Sequence, residues 1–474
     1  MRFNTLPLFV TCIISIYLTG CSAITNYTAT EPPEHEILAA PEEWQTTTKE
    51  PPPPQPAQWI KDFNDPILER LIREAQVNNQ NLKASAARVE VAIARARIAG
   101  ADLYPEVTGS LDARRHRSNS ESNNDVNSNY TTNLGLGVDV SWEIDLWGRL
   151  SSRASAATLE FEVSQAEWQA AQLSLAAGVA RSWFNLAEAQ LQLKLVEQRL
   201  NNLSDNLSTI EEDFKLGLRG ALDVYLARAD VAAEHARIAS RSATVHDAKR
   251  TLEVLLGRYP KGLIKSVNDL TPLTSPIPSG LPSELLIRRP DLIASQKKLE
   301  ASDQRVAAAH ADRFPRLSLT GNLGTRSDDL SNLISSDYLV WSVFSGLTAP
   351  LFDAGRLEAE EERSRANAKI SEANYNQALL TAFKEVETGL RNEHLLKEQE
   401  SALKQAVEES IAAEDLAFEQ YQSGLLDFIT VLESQRRSFG AQSTEIEIRN
   451  QRLQNRINLY LALGGAFIEE QMNE

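Results

Sequence analysis

The chain contains one unit twice, and this duplication constrains its fold more than any other feature of the sequence. In the first part of the unit the two copies align at a constant offset of 210 residues, which pairs Leu82 with Leu292 and Pro105 with Pro315. Further along, the offset becomes 207 residues and holds at three pairs of glycines: Gly148 and Gly355, Gly217 and Gly424, Gly257 and Gly464. Chance matching does not keep two offsets over such distances, so the fold has to be built from two equivalent halves.

Each copy opens with a helical stretch that ends at its proline, because proline cannot continue a helix but is tolerated where a strand starts. A strand pair follows. The clearest strand covers residues 134–143, where the even positions are apolar and the odd positions are Gly, Asp, Ser or Glu. This alternation has the period of two of a β-strand, and its length of about ten residues is what a tilted membrane strand needs.

The other strands alternate less regularly. Their apolar positions are Val107, Leu111, Leu317, Leu319, Leu323, Leu339, Trp341, Val343 and Leu347. A soluble, half-buried hairpin would show a similar pattern. We favour lipid-facing strands because of the duplication and of the sorting signal described below.

A long run without proline follows each hairpin, at residues 148–257 and 355–464. In the first copy, apolar residues are spaced alternately by three and four positions, at Leu193, Val196, Leu200, Leu203, Leu207, Ile210 and Phe214. This is the heptad seam of a left-handed coiled coil. We expect the helix that returns beyond Gly217 to offer a seam of mostly small residues, at Leu226, Ala229, Ala233, Ala236, Ser240 and Ala243. The first helix of such a pair would measure ~100 Å, more than an ordinary globular core requires.

Two hairpins give only four strands, and four strands cannot close a barrel. An open sheet edge in lipid leaves backbone groups without hydrogen bonds, at a cost of several kcal/mol each. The chain is therefore expected to oligomerise, since two copies supply ~8 strands and three supply ~12. The long helix pairs would continue the wall as a tube, so the geometry predicts a hollow conduit rather than a catalytic cleft.

The N-terminus has the features of a secretory signal. Residues 1–20 carry Arg2 and then an apolar core that is too short to span a bilayer. The signal ends in Leu18-Thr19-Gly20-Cys21, which resembles a bacterial lipobox, and Ser22 then implies passage to the outer membrane. Cys21 is therefore the candidate lipidation site and anchor to outer-membrane lipid. The alternative is an ordinary signal with an incidental cysteine.

Composition removes other classes of protein. The net charge of −17 leaves no basic excess with which to bind nucleic acid. Both cysteines lie within the first 21 residues, which excludes a disulfide scaffold and a cysteine metal cluster. The six histidines lack metal-ligand spacing, and no HExxH, Walker or Gly-x-Ser-x-Gly motif is present. We therefore predict no catalytic residues, no metal site and no cofactor.

Residues 280–292, GLPSELLIRRPDL, resemble the segment that opens the second half of TolC-like outer-membrane efflux channels. They fit the lipoprotein (NodT-type) branch, whose members work with inner-membrane resistance-nodulation-division pumps. Residues 142–149 and 352–356 support the same resemblance, which covers essentially residues 21–470. It implies a mainly α protein with a membrane β-barrel: a homotrimer with a 12-stranded outer-membrane β-barrel that continues into a periplasmic α-helical barrel. Its implied function is passive export of drugs, toxic compounds or metal ions, delivered by the pump through a periplasmic adaptor (membrane fusion) protein.

The duplication and the resemblance together predict the order of segments along the chain. These are a signal peptide at 1–20, a lipidated Pro-rich strap at 21–60, a first repeat at 61–257 with a hairpin at 106–146 and helices at 148–257, an equatorial linker at 258–283, a second repeat at 284–465 with a hairpin at 316–352 and helices at 355–464, and a C-terminal tail at 466–474.

The helix reversals near Gly217 and Gly424 are the candidate functional site, because the resemblance implies that they meet the adaptor and narrow the resting pore. The candidate adaptor contacts are Gly217, Leu218, Gly220, Leu222, Gly424, Leu425 and Phe428. The candidate gate residues are Asp223, Asp427 and Glu433, with Arg219, Arg228 and Arg436 as their candidate ion-pair partners. The alternative is that the glycines only reverse the chain and the charges only solvate helix faces.

Two other functions stay open at this point. One is a non-conducting spacer, an outer-membrane lipoprotein that uses the coiled coils alone; it would not need alternating strands in both halves. The other is the exit duct of a type I secretion system. A periplasmic enzyme is less favoured because the sequence offers no catalytic constellation.

Overall fold

The computed structural model describes residues 33–41, 43–46, 59–122, 125–265, 269–273 and 282–465. The predicted signal peptide, Cys21 and the C-terminal tail lie outside the described residues, as do parts of the predicted strap and linker. The first repeat forms α1 (Pro66–Asn78), α2 (Gln80–Ala101), β1 (Glu106–Ser122), β2 (Asp125–Ile144), α3 (Arg149–Lys215) and α4 (Ala221–Leu255). The second forms α5 (Leu285–Arg288), α6 (Pro290–Ala311), β3 (Arg316–Ser327), β4 (Leu339–Thr348), α7 (Arg356–Gln422) and α8 (Phe428–Ala462).

Equivalent helices of the two repeats have equal lengths. Helices α2 and α6 each have 22 residues, α3 and α7 each have 67, and α4 and α8 each have 35. By contacts the chain divides into two compact units, and each unit takes part of both repeats. The first is Met1–Ile37, Val91–Glu162 and Lys297–Asn374; the second is Leu38–Glu90, Val163–Gln296 and Tyr375–Glu474.

The first unit contains one antiparallel sheet in the order β1-β2-β3-β4. The strand predicted at 134–143 is confirmed, since it lies within β2. The repeats meet where β2 pairs with β3, and Gly137 lies opposite Gly324 there. A Cβ on Gly324 would collide with the Leu136 carbonyl oxygen, so this close approach of two backbones requires glycine.

The register gives the sheet one apolar face and one largely polar face. Residues directly opposite each other in neighbouring strands share a face. One row across β2, β3 and β4 is therefore Val138, Leu323 and Trp341, and the whole series of apolar positions predicted from the sequence falls on this face. On the other face the Asp139 carboxylate accepts hydrogen bonds from the Ser110 hydroxyl and the Asn322 amide, at 2.8 Å each.

The second unit holds the main core, which is built around aromatic rings. Trp59, Phe63 and Trp183 are all less than 4% exposed, and the core includes Phe184 and Tyr460. Asp65 joins this core to the start of α1: its carboxylate caps the helix by accepting from the amides of Ile67 and Leu68, and it also accepts from the Trp183 indole at 2.7 Å. Among the described residues, no helix carries a stretch apolar enough to cross a bilayer.

The seam predicted on α3 is confirmed except at Phe214, which is exposed, and the seam predicted on α4 is wrong. On α3 the predicted seam is buried at Val196, Leu203 and Ile210. On α4 the predicted series from Ala229 to Ala243 is exposed. The buried apolar positions are instead Val224, Ala227, Val245 and Leu252, which keep the heptad spacing but start two positions earlier. Both series satisfy the spacing, and the one with the larger apolar side chains is buried because it removes more apolar surface from water.

Candidate functional site

Both helix reversals use the same backbone motif, and both lie in the second unit. Gly217 and Gly424 have φ angles of 75°, in the left-handed region that only glycine adopts without strain. The following amide donates back across the turn in each copy, from Leu218 to the Asp213 carbonyl and from Leu425 to the Gln420 carbonyl, at 2.9 Å. These are the bonds of a Schellman cap, which ends a helix and satisfies its last carbonyl groups.

The surface of both reversals is apolar. Leu218 and Leu222 in the first copy are 68% exposed, and their equivalents at the offset of 207, Leu425 and Ile429, are 74% and 60% exposed. A Schellman cap usually packs its apolar residue against the preceding turn, but both leucines here remain in solvent. The two reversals therefore offer matching apolar patches.

Phe428 does not contribute to this exposed surface. It is 3% exposed and packs with Tyr421 in a small core that also contains Ile210, Val224, Ala227, Val431 and Leu432. Gly220 and Asp427 occupy equivalent positions, since they are the N-cap residues of α4 and α8. Glycine has no side chain with which to cap a helix, and among the described residues the Asp427 side chain makes no capping hydrogen bond.

Arg219 joins the first reversal to the last turn of α7 in the other repeat. Its guanidinium carbon lies 4.0 Å from the centre of the Tyr421 ring, and Nη2 donates to the Tyr421 carbonyl oxygen at 2.7 Å. Nε also lies 3.4 Å from the Asp213 carboxylate. Burial raises the pKa of the Tyr421 phenol, against the opposing charge of Arg219. A cation over a ring and a charged donor on a carbonyl oxygen together tie the two reversals to each other.

The other gate candidates form local pairs. Arg228 of α4 pairs with Glu211 of α3 at 2.7 Å. Glu433 pairs with Arg436 at 3.4 Å and with Arg437 at 3.3 Å, all within one exposed turn of α8. Within the part of the chain that the structure describes, the side chains of Asp223 and Asp427 form no hydrogen bond or ion pair.

The structure pairs Arg436 with Glu433 as the sequence suggested, but sequence reasoning missed three partners of the other two arginines: Glu211, Asp213 and Tyr421. A signal was present for the two acids, because both precede Gly217 by no more than two helical turns, within reach of basic residues just beyond the reversal. The role of Tyr421 as a platform for the Arg219 guanidinium leaves no mark in the spacing of residues.

The N-terminal strap makes a series of contacts that the sequence did not predict. In the first unit, the two ring nitrogens of His35 bond to Asp303 of α6 at 3.0 Å and to Glu372 of α7 at 2.9 Å. Burial lowers the pKa of this imidazole, but the hydrogen bonds and charges of the two carboxylates outweigh it, so the net pKa lies above its ordinary value of 6.5. In the second unit, Trp44 is buried and packs edge-on against Phe383 of α7.

The segment that carried the family resemblance also has a structural role in the second unit. Arg289 of this segment makes a bidentate pair with Asp291, donates to Glu385 at 2.7 Å and donates to the Ala462 carbonyl at 3.1 Å. In the first repeat the equivalent residue, Asn79, donates to the Leu255 carbonyl at 2.9 Å. The start of one helix is thus tied to the end of the last helix of its own repeat, by the same bond in both copies.

Known proteins match the chain over nearly its whole length. Residues 71–258 and 281–465 match the family model described as outer membrane efflux protein. The antibiotic efflux pump outer membrane protein ArpC of Pseudomonas putida is 32% identical over 475 residues, which cover 99% of this chain and 97% of ArpC. The cation efflux system protein CusC of Escherichia coli (strain K12) is 30% identical over 454 residues, 95% of this chain and 98% of CusC. Among solved structures, the outer-membrane channel OprN has a TM-score of 0.86 at 29% identity, over 92% of this chain and 99% of OprN.

Proposed function

The chain belongs to the outer membrane efflux protein family, and from this premise we propose the complex in which it works. The TolC-like resemblance and the fold class drawn from the sequence are confirmed, and the protein is a passive outer-membrane channel rather than an enzyme. Its relatives are outer-membrane components of efflux pumps. The complex joins three copies of this chain to a periplasmic adaptor and to an inner-membrane resistance-nodulation-division pump.

One observation supports assembly from several copies more than any other. Among the described strands, β1 and β4 are the edge strands of the sheet, and each pairs on one side only. The sheet also has one apolar face and one largely polar face. Such edges are costly in lipid and are satisfied when copies pair edge to edge. Three copies supply ~12 strands, enough for a closed wall with the apolar face towards lipid and the Asp139 face towards water.

The cargo is set by the pump and not by this wall. ArpC is named for antibiotics and CusC for cations, although both match nearly all of this chain. The cargo of this channel is accordingly drugs, toxic compounds or metal ions. Met1 and Met472 are the only methionines, so the wall has no row of thioethers for soft metals, and passage through it requires no binding.

The two reversals meet the adaptor and narrow the resting pore. The exposed Leu218, Leu222 and Leu425 provide apolar contact area, with Gly217, Gly220 and Gly424 allowing close approach of a partner helix. Phe428 supports these contacts from below the surface. The link from Arg219 to Tyr421 holds the two reversals together in the resting state, while Arg228, Asp223, Asp427, Glu433 and Arg436 adjust the charge around the aperture.

The N-terminal strap, residues 21–60, anchors the channel to outer-membrane lipid through Cys21 and continues along α7. The strap, the linker at 258–283 and the tail at 466–474 together form an equatorial collar. Because the strands already hold the assembly in the membrane, the lipid serves sorting and assembly. Cys21→Ser is expected to leave a partly functional channel, and complete loss of the assembled oligomer would contradict this role.

Pore formation tests the proposed function. The purified full-length protein, added to planar lipid bilayers, is expected to give discrete conductance steps. In a strain that lacks the channel, restoring its gene should recover resistance to drugs or metal ions only if the cells also contain the pump. Protein that inserts without conducting would contradict the channel and support the spacer.

The gate is tested with a matched pair of variants. Arg219→Ala removes the link between the two reversals and should raise the open fraction in bilayers. Arg228→Ala removes an ion pair confined to the first repeat and should raise the open fraction less than Arg219→Ala does. Equal behaviour of the two variants would exclude Arg219 as a latch. Asp223→Ala and Asp427→Ala are scored in the same way, and a variant no leakier than the wild type removes that residue from the gate.

A further inference from the structure

Four arginines surround one cavity in the helices of the second unit. The cavity has a volume of about 420 Å³ and lies between α3, α4 and α8. Arg199, Arg237, Arg241 and Arg436 line it together with the ring of Phe439, and none of its lining residues is acidic. Its volume falls within the range of ~300–1,000 Å³ that is usual for small-molecule sites.

Arg199 is the most deeply placed of the four. Its side chain is 16% exposed and its guanidinium carbon lies 4.4 Å from the centre of the Phe439 ring. Its nearest acid is Glu234, at 3.7 Å, and among the described residues its Nε atom has no hydrogen-bond partner. Burial lowers the pKa of Arg199, because the charged guanidinium has lost water that nothing fully replaces.

The remaining three arginines are incompletely neutralised. Arg237 shares Glu234 with Arg199, at 3.2 Å, and Arg436 has an exposed partner in Glu433. Arg241 has no hydrogen bond or ion pair among the described residues, and Glu188 acts on it only at longer range. The charges of Asp230 and Glu414 also act on Arg199. Four arginines therefore line the cavity, and only two acids, Glu234 and Glu433, pair with them directly among the described residues. This cluster of positive charge lies in a chain whose net charge is −17.

We propose that this cavity binds a tetrahedral dianion, either inorganic phosphate or the phosphate group of a small phosphomonoester. Guanidinium groups donate in planar pairs that match phosphate oxygens. A carboxylate offers two oxygens and satisfies one such fork, whereas the three or four oxygens of a phosphate can accept from several arginines at once. The bound anion links α3, α4 and α8.

Binding to the purified, assembled channel tests the site. Phosphate is titrated at constant ionic strength against a chloride background, with calorimetry for affinity and thermal unfolding for stabilisation. We expect saturable binding that Arg241→Ala and Arg436→Ala each weaken about tenfold, the loss of ~1.4 kcal/mol. Arg241→Lys should also weaken it, because lysine keeps the charge but not the planar fork.

Arg437→Ala is the matched control, because Arg437 neighbours Arg436 and pairs with the same Glu433 but does not line the cavity. Its affinity for phosphate should equal that of the wild type. Glycerol phosphate is tested beside inorganic phosphate, and the tighter ligand identifies the source of the anion. Absence of saturation, equal weakening by Arg437→Ala, or acetate binding as tightly as phosphate would overturn the proposal.

Discussion

His35 shows how a single side chain can hold the strap in place. Its imidazole lies between two carboxylates on different helices, and the next backbone amide, of Glu36, donates to Glu372 as well. When both ring nitrogens carry protons, each can donate to a carboxylate; the neutral ring can donate only once. The strength of the contact should therefore depend on the charge of the ring.

The strap is expected to loosen as pH rises. Since the pKa of His35 in the folded protein lies above 6.5, its contribution is fully present below the unfolded value and is lost as pH rises through the folded value. Burial raises the pKa of Asp303, and the hydrogen bond from His35 lowers that of Glu372. Hydrogen exchange in residues 33–46 should increase between about pH 6 and pH 8 beyond the intrinsic rate.

His35→Gln should abolish this pH dependence. His394→Gln is the control, because His394 is exposed on α7 and, among the described residues, pairs only with Glu398 of the next turn. A strap that is equally protected at both pH values in the wild type would show that the imidazole charge does not hold it.

Arg289 and Asn79 occupy equivalent positions, but they should contribute differently to the free energy of unfolding. Arg289→Ala breaks charged hydrogen bonds to Asp291 and Glu385, both about half exposed, as well as the bond to Ala462. We expect a loss of about 2–3 kcal/mol, limited by this exposure, against about 1 kcal/mol for Asn79→Ala. Thermal unfolding of the purified channel measures both, and equal losses would contradict the ranking.

At the scale of elements, the reversal glycines can be separated from glycines that avoid a clash. Gly217→Ala and Gly424→Ala place a Cβ in open space and should cost only the left-handed backbone, about 1–2 kcal/mol each. Gly257→Ala should cost more, since its φ is also positive and its Cβ would contact the Asn78 backbone. Gly178→Ala, at an uncrowded helical position, should stabilise by about 0.5–1 kcal/mol. The midpoints of thermal unfolding rank the four variants. If Gly257→Ala lowered the midpoint no more than Gly217→Ala does, the expected clash with the Asn78 backbone would be contradicted.

The elements differ in how far the sequence predicts them. A strand with one apolar face can be predicted from its period of two. The helix reversals can be predicted from the glycines that recur at the offset of 207 residues. The register of α4 was predicted wrongly because heptad spacing fits two faces of that helix, and only packing selects Val224 and Leu252 over the alanines. The contacts of His35 and Arg219 join residues far apart in the chain, and a single sequence carries no distance between them.

At the scale of the whole molecule, the two-faced sheet predicts which substitutions the membrane tolerates. Val343 lies on the apolar face of β4, and the adjacent Ser342 points to the other face. Val343→Arg should cost ~2–4 kcal/mol per copy if its position is near the middle of the bilayer. Ser342→Arg should assemble and instead alter conductance. The amount of oligomer in outer-membrane fractions distinguishes them, and equal assembly of both variants would contradict the assignment of faces.

Co-expression of the wild type with Val343→Arg then tests how many copies share one wall. If each wall closes only when the β4 strand of every copy inserts into the bilayer, one defective copy disables the assembly. The amount of stable oligomer should then fall with the cube of the wild-type fraction, because three copies are drawn independently. Independent folding of each copy would give a linear decline, and a pair of copies would give a square. The expected curve therefore follows from the unpaired edges of β1 and β4, and a linear result would overturn the shared wall even if the channel itself conducts.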